Sequence, residues 1–161
     1  MSVPLEKIRF LVVDDNLHVL NIVKTVLRGL GAVHVFDART RADALEHLRN
    51  DAIDIVILDY MLGDDDGVEF LRHLRTDPKS PTPFVPVIML TSHTEKSRVE
   101  AARDAGANAF CSKPVTPVEI MKKVAGVIER PLPFVRAGDY VGPDRRRRDE
   151  NPRGPDRRKG G

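Results

Sequence analysis

The sequence predicts an α/β protein, a doubly wound five-stranded parallel sheet with helices on both faces, carrying an arginine-rich C-terminal tail that is disordered when free. Three observations predict it. Ile53-Asp54-Ile55-Val56-Ile57-Leu58-Asp59 is a β-branched and aliphatic run, interrupted only by Asp54 and closed by a carboxylate, which suits a strand buried on both faces. Ile8 to Val13 repeats that plan and ends in Asp14 and Asp15. Between such runs, apolar residues recur at three- and four-residue spacing, so strands alternate with helices and the crossovers favour a parallel sheet.

The elements follow in order. After the Ile8 strand, Leu17, Leu20, Val23 and Leu27 mark an amphipathic helix with Asn16 available as its cap and Gly29 and Gly31 at its end. Val33 to Phe36 is a short second strand, and Ala42, Leu45 and Leu48 place a helix between Thr40 and Asn50. The Ile53 strand is third. Gly63-Asp64-Asp65-Asp66-Gly67 is too acidic and Gly-rich for a regular element, and Phe70, Leu71 and Leu74 then restore helical spacing from Val68 to Arg75. Asp77 to Pro86 holds four prolines and reads as an extended connection. Val87 to Leu90 is the fourth strand, ending at Thr91-Ser92, and Val99, Ala102 and Ala105 mark a helix from about Lys96 that Gly106 stops. Ala107 to Cys111 is the fifth strand, ending in Ser112-Lys113-Pro114. Thr116-Pro117 opens a last helix with Val118, Met121, Val124 and Ile128 on its apolar stripe.

The formal net charge of +2 conceals a division: residues 136–161 hold nine Lys/Arg and five Asp/Glu, while the remainder is slightly acidic. The expected organisation is one domain over residues 1–130 and, over 131–161, a Pro-rich linker and basic tail. Cys111 is the one cysteine, so no internal disulfide forms, and it reads as a small buried hydrophobe. The first residues show neither a signal peptide nor a membrane span, which points to the cytoplasm with no membrane insertion. His18, His34, His47, His73 and His93 lack metal-ligand spacing.

Chemistry concentrates where the predicted strands end, at Asp14, Asp15, Asp59, Thr91 and Lys113. Open α/β sheets place their sites at this edge. Converging carboxylates repel unless a cation sits among them, and Mg²⁺ is the natural partner because it takes oxygen ligands and keeps waters that a phosphate can replace. Asp59, alone on the central strand, is the candidate nucleophile for a phosphoryl group, with Lys113 and Mg²⁺ neutralising charge and the Thr91 hydroxyl bonding a phosphoryl oxygen. Taken singly, Asp14 and Asp15 read equally well as acids at a helix start. Four strand ends in order do not.

Val12-Val13-Asp14-Asp15, Leu58-Asp59, Leu90-Thr91-Ser92 and Ser112-Lys113-Pro114 together resemble the CheY-like receiver domains of response regulators, a flavodoxin-like fold, over residues 1 to about 130. The resemblance implies that Asp59 is the phosphoacceptor and that Asp14 and Asp15, with Asp59 and the backbone carbonyl of Met61, hold Mg²⁺. It makes Thr91 and Lys113 the phosphate-sensing pair and Phe110 the switch aromatic, although an aromatic on an apolar strand reads as core just as readily. It also implies a histidine kinase or phosphotransfer protein as partner and a cis Lys113-Pro114 bond, which would aim the lysine into the site. The sequence departs from the family after the acceptor: Leu62-Gly63 replaces the usual Met-Pro pair, Asp64 and Asp65 lengthen the loop, and the Pro-rich connection is long.

The tail carries an internal repeat, Gly142-Pro143-Asp144-Arg145-Arg146 and Gly154-Pro155-Asp156-Arg157-Arg158, offset by 12 residues. Arginine bonds guanine O6 and N7 bidentately, stacks on bases and pairs with phosphate, while a carboxylate accepts from guanine's Watson-Crick donors. Cyclic di-GMP, as an intercalated dimer, would satisfy two such half-sites, with Tyr140 as a stacking surface. These repeats resemble the arginine-rich extension of the Cle proteins, CheY-like effectors of cyclic di-GMP. That resemblance implies a tail that orders around cyclic di-GMP and a loaded protein that binds a FliM-like flagellar motor switch protein, at the cell pole, to modulate motility and surface attachment. The residues expected to bind the ligand are Tyr140, Asp144, Arg145, Arg146, Arg147, Arg148, Arg153, Asp156, Arg157 and Arg158.

The sequence admits three readings of function. The first is a non-enzymatic adaptor that responds to cyclic di-GMP, without a specific DNA partner. The second is a single-domain response regulator controlled by phosphorylation of Asp59, with a tail that binds polyanions non-specifically. The third, a phosphoryl-processing enzyme, lacks a readable general base or substrate pocket.

Overall fold

Successive side chains along the central strands enter opposite apolar layers. The computed structural model describes residues 4–92, 96–131, 133–138 and 140–144. Its central sheet contains β1 (Arg9–Val13), β2 (His34–Ala38), β3 (Ile55–Asp59), β6 (Val87–Thr91) and β7 (Ala109–Ser112), all parallel in the order β2-β1-β3-β6-β7. Every residue of β3 and β6 is buried, as expected for strands covered on both faces. In β3, Ile55 and Ile57 join one apolar layer, whereas Val56 and Leu58 join the other.

The first layer contains Leu20, Val23 and Leu27 of α1 (Leu17–Gly29) and Ile120 and Val124 of α5 (Pro117–Glu129). The second contains Ala44 and Leu48 of α2 (Arg41–Asn50), Phe70, Leu71 and Leu74 of α3 (Gly67–Thr76), and Ala102 of α4 (Lys96–Asp104). Side-chain oxygens cap four of these helices. Asn16 accepts from the Val19 N–H, Thr40 from Asp43, Asp66 from Val68 and Glu69, and Thr116 from Glu119. Each cap satisfies an otherwise orphaned helix-end donor, worth about 1 kcal/mol. Gly31 and Gly106, at φ +113° and +107°, turn the chain after α1 and α4.

The second strand runs to Ala38, beyond the expected Phe36, because β2 stays in parallel register with β1 as far as Val13. The acidic loop after β3 contains a minimal antiparallel pair, β4 (Met61–Leu62) and β5 (Asp65–Asp66). Gly63 turns it at φ +61°. Gly67 is indispensable there, since a Cβ would lie 2.2 Å from the Asp59 carbonyl oxygen.

The segment after Arg130 adds an element that the sequence periodicity does not predict. Residues expected to be linker and tail form an antiparallel hairpin, β8 (Phe134–Ala137) with β9 (Tyr140–Pro143). Its anchor is Arg75 of α3, only 1% exposed. The guanidinium donates to the carbonyls of Gly106 (3.1 and 2.8 Å), Pro83 (2.9 Å) and Val85 (2.6 Å) and to Asn108 Oδ1 (3.2 Å). Phe134 lies across it, with its ring centre 4.8 Å from the guanidinium carbon, and packs against Phe84 at 5.3 Å. Gly142 meets Gly106 so closely that a Cβ there would be 2.8 Å from the Gly106 Cα. A hydrophobic run was unnecessary because a few apolar side chains close over an arginine whose bonds are already made. Burial lowers the Arg75 guanidinium to about 9, and the surrounding carbonyls favour its charged form.

Candidate functional site

Parallel strands bring their carboxyl ends to one edge, and β1, β3, β6 and β7 deliver Asp14, Asp59, Thr91 and Lys113 there. Asp14 and Asp59 are buried, at 0% and 5% exposure, and Thr91 is buried at the end of β6. Asp15 is more open, yet one oxygen from each of Asp14, Asp15 and Asp59 lies within 4.8 Å of the others. Lys113 Nζ stands 2.7 Å from Asp59 Oδ1 and 3.6 Å from Asp14 Oδ2. Its backbone N–H donates to the Thr91 carbonyl at 2.9 Å, tying the β7 end to the β6 end. The Lys113–Pro114 peptide is cis.

Burial raises the carboxyl groups of both Asp14 and Asp59 above the ordinary 3.8. For Asp14 the Asn16 backbone N–H, donating to Oδ1 at 2.9 Å, opposes that rise; for Asp59 the Lys113 hydrogen bond does. Asp14 Oδ2 is buried with no hydrogen-bond partner among the described residues. Such an oxygen costs folding free energy unless something meets it. Three carboxylates, one with an open buried oxygen, match the hard oxygen ligands that Mg²⁺ prefers, so the residues present fit the ion. Asp14, Asp15 and Asp59 would hold it, and Met61, two residues after Asp59, is the first residue of β4.

Phe110 is half-buried on β7, opposite Met89, and packs against the α2–α3–α4 layer. It is therefore neither sealed in the core nor free in solvent. Sequence reasoning assigned no role at the site to three contributors. Asn16 both caps α1 and orients Asp14. Arg39 donates to the Asp15 carbonyl at 3.3 Å. Gly63 approaches so near that a Cβ would lie 3.3 Å from Asp15 Oδ2. The Asn16 cap was readable from its place before an apolar stripe; the other two depend on loop closure.

Of the residues expected to contact cyclic di-GMP, Tyr140 and Asp144 are described. Tyr140 serves the hairpin: its hydroxyl donates to the Pro143 carbonyl at 2.7 Å, and its ring lies over Gly142. The Asp144 N–H donates to the Pro133 carbonyl at 2.7 Å. Arg145, Arg146, Arg147, Arg148, Arg153, Asp156, Arg157 and Arg158 lie outside the described residues. Among the described residues, no helix is long and apolar enough to cross a membrane.

Known proteins are similar to this chain. The chain is 35% identical over 137 residues to the KDP operon transcriptional regulatory protein KdpE of Escherichia coli, covering 81% of this chain but only 58% of KdpE. It is 29% identical over 125 residues to the chemotaxis protein CheY-3 of Vibrio cholerae, covering 78% of this chain and 95% of CheY-3. Vibrio cholerae chemotaxis protein CheY4 superposes with a TM-score of 0.68 at 27% identity, over 74% of this chain and 98% of that one. The family model for the response regulator receiver domain matches residues 10–125, a span that includes the central sheet from Phe10 onward and all of the acidic pocket. The chain thus belongs to the response regulator receiver domain family.

Proposed function

We propose that the chain is an effector of cyclic di-GMP built on a receiver body, and that the loaded protein docks on a FliM-like flagellar motor switch protein to alter swimming and surface attachment. The observation that carries this reading is the repeated Gly-Pro-Asp-Arg-Arg sequence at 142–146 and 154–158. Each copy offers a carboxylate for guanine's donors and paired guanidiniums for guanine acceptors and phosphate. The hairpin adds support, since Gly142 and Pro143 are buried and Asp144 is tied to Pro133, so the first Asp-Arg pair starts from a fixed base. Recognition then falls on Asp144, Arg145, Arg146, Asp156, Arg157 and Arg158, flanked by Arg147, Arg148 and Arg153, while Tyr140 supports the base. The relationship to a chemotaxis protein, CheY-3, favours a motor partner.

Calorimetry with cyclic di-GMP on the full chain and on residues 1–144 tests the proposal. Stopping at 135 would remove β9, the partner of β8 and a neighbour of α3, so the shorter chain must keep the hairpin. Equal binding by residues 1–144 would overturn the reading. Asp144→Ala and Asp156→Ala should each weaken binding, whereas a segment that merely attracts polyanions would tolerate both and lose affinity steeply with salt.

A second input is favoured by the Lys113–Asp59 contact and the open Asp14 oxygen. An Asp59 carboxylate oxygen attacks the phosphorus of a phosphodonor, a histidine kinase or phosphotransfer protein, and the bond to the leaving group breaks. Lys113 balances the charge that arrives on Asp59, and Thr91 stands one residue beyond the β6 partner of Asp59 to receive a phosphoryl oxygen. Mg²⁺ held by the three carboxylates would supply further charge neutralisation. Incubation with acetyl phosphate and Mg²⁺ should add the mass of one phosphoryl group, and Asp59→Asn should abolish the gain.

A further inference from the structure

We propose that the cleft between α2 and α3 binds a small aromatic anion, a single ring bearing a phosphate or carboxylate, at a site separate from the acidic pocket. Arg41, Leu45 and Arg49 stand four residues apart on α2 and share a face. With Phe70 and Leu74 of α3 and the start of the Pro-rich connection, they line a cavity of about 230 Å³. Phe70 and Leu74 form an apolar floor, buried at 1% and 2% exposure. The cleft is smaller than the roughly 300 to 1,000 Å³ of pockets for drug-sized ligands, so it suits one ring with its anion and excludes a whole cyclic dinucleotide.

Charge gives the ligand its sign. Arg41, Arg49 and Lys79 line the cavity with a single carboxylate, Asp77, and that carboxylate already accepts from the Lys79 backbone at 2.9 Å and faces His73 at 3.8 Å. Among the described residues, neither the Arg49 nor the Lys79 side chain has an ion-pair or hydrogen-bond partner. The Arg41 guanidinium lies 5.4 Å from the Phe70 ring centre, which leaves its other face for a planar ring. In the connection that walls the cleft, Ser80 Oγ and Thr82 Oγ1 are buried without a hydrogen-bond partner. A rotation of Ser80 about χ1 would offer its hydroxyl to the anion and relieve that cost.

The test is titration of the full chain with phenyl phosphate, and in parallel with benzoate, followed by amide chemical shifts. Saturable shifts confined to α2, α3 and residues 77–82 are expected with at least one of the two, and the preferred one identifies the anion. Arg49→Gln and Lys79→Gln, both at exposed positions, should weaken that binding about tenfold each while leaving shifts elsewhere unchanged. Inorganic phosphate producing the same shifts at equal affinity would overturn the proposal, as would no saturable response to either aromatic ligand. Loss of the shifts in Asp59→Asn would assign the binding to the acidic pocket and overturn it equally.

Discussion

Lys113 Nζ lies 2.7 Å from Asp59 Oδ1, so the Lys113 ammonium is already committed to the residue proposed to receive a phosphoryl group. Replacing it by Met leaves the buried Asp14 and Asp59 carboxylates facing each other uncompensated. Lys113→Met is expected to raise the Asp59 titration further above its ordinary value, read by carboxyl ¹³C shifts against pH. It should also slow phosphorylation by acetyl phosphate at least tenfold without moving the acceptor from Asp59.

Stability should depend on pH through the same pair. Burial raises Asp14 and Asp59 above 3.8, so the folded chain holds these protons more tightly than the unfolded chain. Without divalent cation, their contribution to stability therefore falls as pH climbs from 3.8 through the raised folded values, and levels off above them. Urea denaturation in EDTA from about pH 4 to about pH 8 should show Asp59→Asn gaining on the natural sequence as pH rises. Mg²⁺ should reverse the ranking at the high end, because carboxylates must be deprotonated to bind it.

Gly67 sets the distance between the acidic loop and the site strand. A Cβ at this position would lie 2.2 Å from the Asp59 carbonyl oxygen and 2.8 Å from that of Tyr60, and both neighbours are backbone. Gly67→Ala is expected to destabilise the chain by about 2 kcal/mol or more and to weaken Mg²⁺ binding, measured by denaturation and by metal titration. Gly29→Ala, with nothing within 4 Å of the added Cβ, is the control and should be neutral or better.

Arg75 should be among the costliest polar residues to remove. Truncation to Ala strips hydrogen bonds from the carbonyls of Pro83, Val85 and Gly106 and is expected to cost about 3 kcal/mol or more. Lysine should rescue little, since one ammonium cannot reproduce a planar fork. Hydrogen exchange should show residues 134–143 losing protection together with the chain near Gly106.

Gly142→Val isolates the hairpin from that network. The new side chain would collide with the Tyr140 ring and the Gly106 backbone, so the hairpin should lift while the central sheet stays intact. Proteolysis between residues 134 and 143 is expected to accelerate about tenfold, with a fall in global stability of about 1 kcal/mol or less. Cyclic di-GMP affinity, measured by calorimetry, should fall as well if Asp144 needs its fixed base.

Much of this was legible in the sequence because parallel α/β architecture leaves two plain marks. A doubly covered strand must be apolar along its whole length, as Ile55 to Leu58 is, and a parallel sheet must collect all strand ends at one edge. Asp14, Asp59, Thr91 and Lys113 could therefore be grouped before any contact was known. The hairpin was not legible. Phe134, Tyr140 and Val141 form no periodic run, and Arg75 on an amphipathic helix reads as a solvated cation. Its burial depends on carbonyls as far away as Gly106, 31 residues along the chain, and such acceptors carry no side-chain signature.

By itself the sequence determined the sheet, the residues at its carboxyl edge and the repeated Asp-Arg pattern, since each rests on local spacing and residue chemistry. Tertiary structure alone decided which carboxylate takes the short contact with Lys113, that Asp14 keeps a buried oxygen open, and that Gly142 and Pro143 are built into the body. The physical reason is that hydrogen-bond satisfaction and close packing are settled between segments remote in sequence, where a glycine's missing Cβ or one carbonyl's direction determines what fits.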